Sequence, residues 1–388
     1  MYMKNIIYTA FFYLFMNTNA YAQWTQLPSG TSNDLASVYF PSPNIGYVVG
    51  YDQTTDTGTV LKTTNAGATW NPLSIHGSSV LQSVSFINVD TGFVIGIDTV
   101  YKTTDGGTTW SSQHIQNAGK VCFFSKNRGY IIAGTVLYGT TDIGNSWDSL
   151  NSIAAFCESI YFINGDTGYV SGGGSIWKTT DGGINLAQQN LGWAEVVSIN
   201  FPSHDTGYAV GANGAILKTI DGGSNWTFQY SGTGNDLSSV VFTSNDTGYI
   251  SEQAGIIFYT YDGGNNWTPQ HIGGGNLNSL FFTDKNTGYV VGDLGYIYKT
   301  TSASTMGVQK VSDNNYQINI YPSPANSTLF IDNNDKQILQ IKIIDVLGRE
   351  IICTAQNLID VSLIPNGVYS VQVNTNKDFM TKKIIVQH

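Results

Sequence analysis

Along residues 23–304, short apolar runs alternate with clusters of glycine, asparagine, aspartate and threonine, and the pattern returns about every 40 residues. Each unit opens with an apolar run ending in phenylalanine, at Phe40, Phe86, Phe124, Phe162, Phe201, Phe242 or Phe282. A second run follows, written NIGYVVG (44–50), DTGFVIG (90–96), NRGYIIAG (127–134), DTGYVSG (166–172), DTGYAVG (205–211), DTGYISE (246–252) and NTGYVVG (286–292). A third run leads into a glycine-rich box: LKTTNAGATW (61–70), YKTTDGGTTW (101–110), YGTTDIGNSW (138–147), WKTTDGGINL (177–186), LKTIDGGSNW (217–226) and FYTYDGGNNW (258–267), with a truncated seventh, YKTTSAS (298–304). Runs this short, bounded by turn residues, predict strands, and four per unit is the content of one propeller blade.

Seven units predict an all-β fold, a seven-bladed β-propeller over residues 23–304. The seventh unit lacks its outer strand, yet the segment from residue 23 reads QWTQLPSG, and its Trp24 falls in step with Trp70, Trp110, Trp147, Trp226 and Trp267. This N-terminal strand is expected to complete the last blade, which removes two open sheet edges.

Comparing the boxes shows what the turn requires. The second glycine (Gly67, Gly107, Gly144, Gly183, Gly223 or Gly264) never changes, whereas Ala66 and Ile143 replace the first. A positive φ at the second position is the expected reason. The acid is Asp105, Asp142, Asp181, Asp221 and Asp262 but Asn65 in the first unit. Asparagine accepts turn hydrogen bonds and cannot act as a general acid, so these residues are expected to hold hairpins. Catalysis needs one asymmetric site rather than repeated copies. The box resembles the Asp-box, S/T-x-D-x-G-x-T-W, of sialidases, xyloglucanase-type hydrolases, sortilin-like receptors and photosystem II assembly-factor propellers. Its spacing and the TGYVVG strand look most like the last group. The resemblance implies a box at the outer rim, away from any active site.

Past residue 304 the rhythm changes. Residues 305–315 read as a linker, and INIYPSPANSTLFID (318–332), IKIIDVLGRE (341–350), IDVSLIPNGVYSVQV (359–373) and KKIIVQ (382–387) predict a small Ig-like β-sandwich over residues 316–388. The order of these motifs resembles the C-terminal sorting domain of the type IX secretion system. That implies the type IX machinery as a partner, passage across the outer membrane, and release or attachment at the surface. Residues 1–22 carry an early cation, Lys4, an apolar run over 6–16, and small residues at Ala20 and Ala22, which together read as a secretory signal peptide. No later segment is apolar for long enough to span a membrane. Cys122, Cys157 and Cys353 show no paired spacing and are expected to be buried small hydrophobes.

Charge narrows the partners. Residues 23–306 hold 9 basic and 20 acidic groups, against 7 of each in residues 307–388. Nucleic acid and anionic lipid both need a basic footprint, so neither is expected. A basic patch contacts the partner in the assembly-factor propellers that the chain resembles, and this acidic chain lacks one.

Binding chemistry is expected where the units break their own repeat, on the face built from the loops after each box and each second run. The first unit has a long loop, YDQTTDTG (51–58); the fourth replaces the box tryptophan by Leu186 and places NLGWAE (190–195) beyond it; the sixth reads SEQAG (251–255) in place of a glycine turn. Trp193 is a candidate stacking platform for a sugar or side chain, its alternative being replacement of the missing box tryptophan in the core. Glu195, Glu252 and Asp293 are candidate polar partners. His76, His114 and His271 each follow a box but belong to blades one, two and six, so no metal and no cofactor is expected. A sialidase needs an arginine cluster, and the propeller has Arg128 alone. A xyloglucanase-type hydrolase needs two facing carboxylates about 5–10 Å apart, and in that family the cleft lies between two propellers. The expectation is an exported binding or scaffold module for protein or glycan, with a glycoside hydrolase acting on a polysaccharide as the alternative.

Overall fold

The structure is a computed structural model describing residues 24–77, 80–191, 194–301, 319–332, 338–345, 349–375 and 379–388. The proposed signal peptide, the linker and Trp193 lie outside these residues. The chain divides into two compact units, residues 1–307 and 308–388.

Seven four-stranded antiparallel sheets build the first unit. In blade one, Asp34–Tyr39, Gly46–Tyr51, Gly58–Thr63 and Asn71–Leu73 follow one another from the centre outward. The innermost strands of successive blades touch in a closed ring. Blade seven takes Leu277–Phe282, Gly288–Gly292 and Ile297–Thr300 from its own unit, and its outer strand is Thr25–Leu27, with Thr25 opposite Lys299 and Leu27 opposite Ile297. Trp24 is buried edge-on against Phe282 at 6.2 Å, as Trp70 lies on Phe40 at 6.0 Å and Trp226 on Phe201 at 5.8 Å.

One aromatic stack fills every junction between blades. Tyr47 lies on Phe86 of the next blade at 3.8 Å, Phe93 on Phe123 at 4.6 Å, Tyr130 on Phe162 at 3.7 Å and Tyr169 on Phe201 at 4.3 Å. Tyr208 on Phe242 at 3.8 Å, Tyr249 on Phe282 at 4.8 Å and Tyr289 on Phe40 at 4.0 Å complete the circle. In blade three the stacking ring is Phe123, not Phe124, which lies one residue further along with its ring 6.0 Å from Tyr130. Two adjacent phenylalanines make that register ambiguous in sequence, and the partner ring decides it.

Four of these tyrosines, Tyr47, Tyr169, Tyr208 and Tyr289, reach the next blade's box. Tyr47 Oη and Lys62 Nζ both donate to the Gly106 carbonyl, at 3.0 and 2.7 Å. Tyr169 and Lys178 do so to Gly222, Tyr208 and Lys218 to Gly263, and Tyr289 and Lys299 to Ala66. Each lysine stands opposite its tyrosine or phenylalanine across the second and third strands, with its ammonium 5.3–6.0 Å from that ring. Burial pushes the tyrosine hydroxyls of this set up to about 12, so they remain donors at any physiological pH.

Within the box, Thr103 Oγ1 donates to Asp105 Oδ1 and accepts from Gly107 N–H, while Asp105 accepts from the Thr109 amide at 2.9 Å and the Thr109 hydroxyl at 2.6 Å. Asn65 accepts from Thr63 and the Thr69 amide in the same places and donates its Nδ2 to the Thr69 hydroxyl. The Thr109 hydroxyl, then its amide, holds Asp105 down at about 2.

Positive φ is shared by both glycine positions: 64° at Gly222 and 75° at Gly223, and also 55° at Ala66 and 65° at Ile143. Conformation therefore does not explain why only the second is invariant. Space does, because a Cβ on Gly223 would meet the Tyr169 ring at 2.6 Å, whereas one on Gly222 has nothing nearer than 3.4 Å.

Residues 308–388 form their own core of Ile320, Leu329, Ile331, Ile341, Ile343, Val371 and Val373 with their neighbours. A three-stranded sheet (Asn319–Tyr321, Thr328–Asp332, Leu358–Asp360) and a four-stranded one (Glu350–Thr354, Ile338–Ile344, Gly367–Thr375, Phe379–Val386) supply it. Among the cysteines, Cys122 and Cys157 are half-buried and Cys353 is exposed, so the expected burial fails at Cys353, and all three are free.

Three outcomes follow in unfolding experiments. Gly223→Ala costs on the order of 3 kcal/mol and Gly222→Ala about 1 kcal/mol, read as urea midpoints; equal costs would exclude the Tyr169 contact as the reason. Asp105→Asn leaves stability at pH 7 nearly unchanged but flattens its acid dependence. A carboxylate depressed in the folded state contributes above its unfolded pKa near 4 and loses that contribution as pH falls toward 2, so the parent weakens across that window more than the variant does. Deleting residues 24–29 opens blade seven and lowers the melting temperature sharply; an unchanged melt would show that the strand is dispensable.

Candidate functional site

At the end of the second strand, beside the first, the blades carry small residues. Gly50 pairs with Leu35, Gly96 with Leu81, Gly211 with Val196 and Gly292 with Leu277, and Ala133 pairs with Ala118 in blade three. A Cβ on Gly50 would lie 1.8 Å from the Asp34 carbonyl, and one on Gly211 would lie 1.6 Å from that of Glu195, so the site ordinarily excludes a side chain. Blade six consists of Leu237–Phe242, Gly248–Glu252, Ile256–Thr260 and Thr268–His271, and it places Glu252 opposite Leu237 at this position. Glu252 is 0% exposed.

Its two oxygens differ. Oε1 accepts the Thr233 hydroxyl at 2.5 Å; Oε2 is buried without a hydrogen-bond partner. Thr233 is itself fixed, since its hydroxyl accepts the Asn235 N–H at 3.0 Å and its carbonyl accepts the Ser231 hydroxyl at 3.2 Å. The same Ser-Gly-Thr loop precedes blade one, where Ser29 donates to the Thr31 carbonyl and Asn33 N–H to the Thr31 hydroxyl, but there the facing residue is Gly50. The loop thus exists without the acid, and blade six adds a carboxyl beneath it.

Glu252 lines a groove of about 610 Å³ between the outer strand of blade five, Thr227–Gln229, and the outer half of blade six. Tyr230, 89% exposed, flanks it with Thr233, Ile256, Phe258, Trp267 and Pro269. Trp267 Nε1 donates to Gln229 Oε1 at 3.5 Å and so ties the two walls together. Glu252 is the one ionisable carboxyl among the lining residues.

The other candidates lie apart from this groove. Glu195 is exposed just before the innermost strand of blade five, Val196–Asn200. Its charge, after burial, raises the carboxyl of Glu158, and Lys120 opposes that rise. Asp293 accepts from Asn276 Nδ2 at 2.7 Å and Asn278 Nδ2 at 2.9 Å, which makes it a brace for the turn that ends at Gly295. Leu186 packs partly buried in the blade-four core where its siblings keep tryptophan. His76, His114 and His271 are exposed, and no group of three or more potential ligands able to hold a metal occurs among the described residues.

Lys120 escaped notice in the sequence. The innermost strands are tied around the centre by serines, with Val84 N–H donating to Ser37, Val121 to Ser83, Val240 to Ser198 and Leu280 to Ser239. Lys120 occupies that register in blade three and instead donates to the Val197 carbonyl of blade five at 2.9 Å. Burial lowers it to about 8, against the pull of Glu158. Aligning the first runs on their serine column would have exposed it. Tyr230 and Thr233 had no comparable signal, because they sit in loops whose neighbours come from another blade.

The family model described as photosynthesis system II assembly factor YCF48 matches residues 16–117, 62–189 and 188–320, and that of the secretion system C-terminal sorting domain matches residues 319–387. No curated protein matches the chain. The solved structure described as YCF48 bound to D1 peptide superimposes with a TM-score of 0.62 at 18% identity, over 72% of this chain and 96% of that one. YCF48 from Cyanidioschyzon merolae gives 0.61 at 19% identity, over 71% and 98%. PorZ of Porphyromonas gingivalis, a surface component of the type IX secretion system, gives 0.54 at 14% identity over 92% of this chain but 60% of PorZ. No helix among the described residues is long and apolar enough to cross a membrane. The sorting tail directs the chain through type IX secretion to the cell surface or beyond. Matched by that family model across its seven blades, the chain belongs to the YCF48-like family of β-propellers and carries a type IX sorting domain behind them.

Proposed function

We propose that this exported propeller is a binding module that captures a protein or glycan ligand in the groove between blades five and six, with the type IX machinery as its export partner. The observation that carries the reading is Glu252, a buried carboxyl with one unsatisfied oxygen at a position where its sister blades hold glycine or alanine. A buried polar atom without a partner is costly, and a site that keeps one is set up to receive a donor. A relative of the same fold is described as bound to a peptide, which supports binding as the mode of action. The photosystem role of those relatives does not carry over, because the propeller is acidic. Hydrolysis of a glycoside needs a pair of carboxyls, and this groove is lined by one.

In the native host, removing residues 313–388 leaves a folded propeller in the periplasm; export of the truncated chain at the normal level would separate the tail from sorting. With the full chain immobilised, a surface extract and a glycan array yield a saturable ligand whose retention drops about tenfold for Tyr230→Ala. Turnover of a bound polysaccharide would replace the binding reading with the hydrolase one.

A further inference from the structure

We infer that the groove accepts a cationic side chain, the ammonium or guanidinium of a lysine or arginine presented by a peptide; this rests on the groove being the binding site. Glu252 Oε2 points to the charge of the ligand, since a carboxylate accepts only and its free oxygen lies fully buried with no donor. No lysine, arginine or histidine lines the groove, so nothing in its own wall supplies the counter-charge. Seven of the nine basic residues in 23–306 are drawn into contacts between blades: Lys62, Lys102, Lys120, Arg128, Lys178, Lys218 and Lys299. The surroundings therefore favour an incoming cation. The walls suit it as well: Tyr230 and Trp267 bring aromatic rings, and Ile256, Phe258 and Pro269 bring apolar surface for an aliphatic stem.

A polyhydroxylated sugar fits less well, because most of the polar lining is already occupied. Asn265 Nδ2 donates to the Asp262 carbonyl and Asn266 Nδ2 to the Asp262 carboxylate, each at 2.7 Å. Gln229 Oε1 accepts from Trp267, and the Thr233 hydroxyl is given to Glu252. One unpaired buried acceptor beside aromatic walls matches a single charged tip better than a ring with many hydroxyls.

The test is calorimetric titration of the full chain with Nα-acetyl-lysinamide and Nα-acetyl-argininamide, using Nα-acetyl-norleucinamide, glucosamine and N-acetylglucosamine as comparisons. The cationic amides bind at least about tenfold more tightly than the norleucine analogue, Glu252→Gln loses about tenfold for them, and Tyr230→Ala loses about threefold. Should Glu252→Gln fail to fold, Tyr230→Ala still tests the site, because that side chain is 89% exposed. Equal binding of norleucinamide, or unchanged binding by both variants, overturns the assignment. Glucosamine binding more tightly than the amides would replace the peptide with an amino sugar. If no cationic probe binds while Tyr230→Ala still releases the ligand found by pull-down, the cation assignment fails and the binding reading stands.

Discussion

Everything in the propeller depends on the contact in which one blade's aromatic ring lies flat on the phenylalanine of the next. Tyr208 on Phe242 is typical: the rings stack at 3.8 Å, the tyrosine hydroxyl continues to the Gly263 carbonyl at 2.6 Å, and Lys218 joins it there at 2.6 Å. A single residue thus supplies apolar area and a directional anchor to the neighbouring hairpin. Because a circle of such contacts must close, the N-terminal strand brings Trp24 to Phe282 and repeats the edge-on geometry found in blades one and five. The Asp-box is best understood from the same contact. Its hydrogen bonds shape the turn so that a carbonyl faces the previous blade, and its invariant glycine leaves room for that blade's side chains, the Tyr169 ring at Gly223 and Leu137 at Gly183.

This arrangement also sets the electrostatics. Lysines that would otherwise balance the surface lie beside tyrosine or phenylalanine rings and reach across the junctions, while the box aspartates Asp105, Asp221 and Asp262 remain exposed at the turns and Asp142 and Asp181 half-buried. The composition makes the propeller acidic, and the way the blades are joined decides where its few lysines sit. Against that background Lys120 and Glu252 stand out, since each puts an ionisable group where the sister blades keep a small neutral residue. Lys120 finds a carbonyl acceptor on blade five. Glu252 finds a donor for one oxygen alone.

Much of this was legible in residue order. Blade number, most strand limits, the borrowed outer strand and the small C-terminal β-domain all follow from short-range signals: period, turn residues and alternation, which act within a hairpin and need no knowledge of what packs beside it. Glu252 was visible as a break in the glycine column, but not the fact that it is buried with a free oxygen, and Glu195 and Asp293, which looked equivalent to it, serve in other places. The register of Phe123, the reason for the second glycine, the reach of Lys120 and the walls of the groove were decided by tertiary structure alone. In each case the deciding atom belongs to a residue far along the chain, from 19 positions away for Thr233 and Glu252 to 77 for Lys120 and Val197, in another blade or in the loop between two blades. A repeat tells where its own strands and turns lie; only closing the ring brings those distant atoms within contact distance.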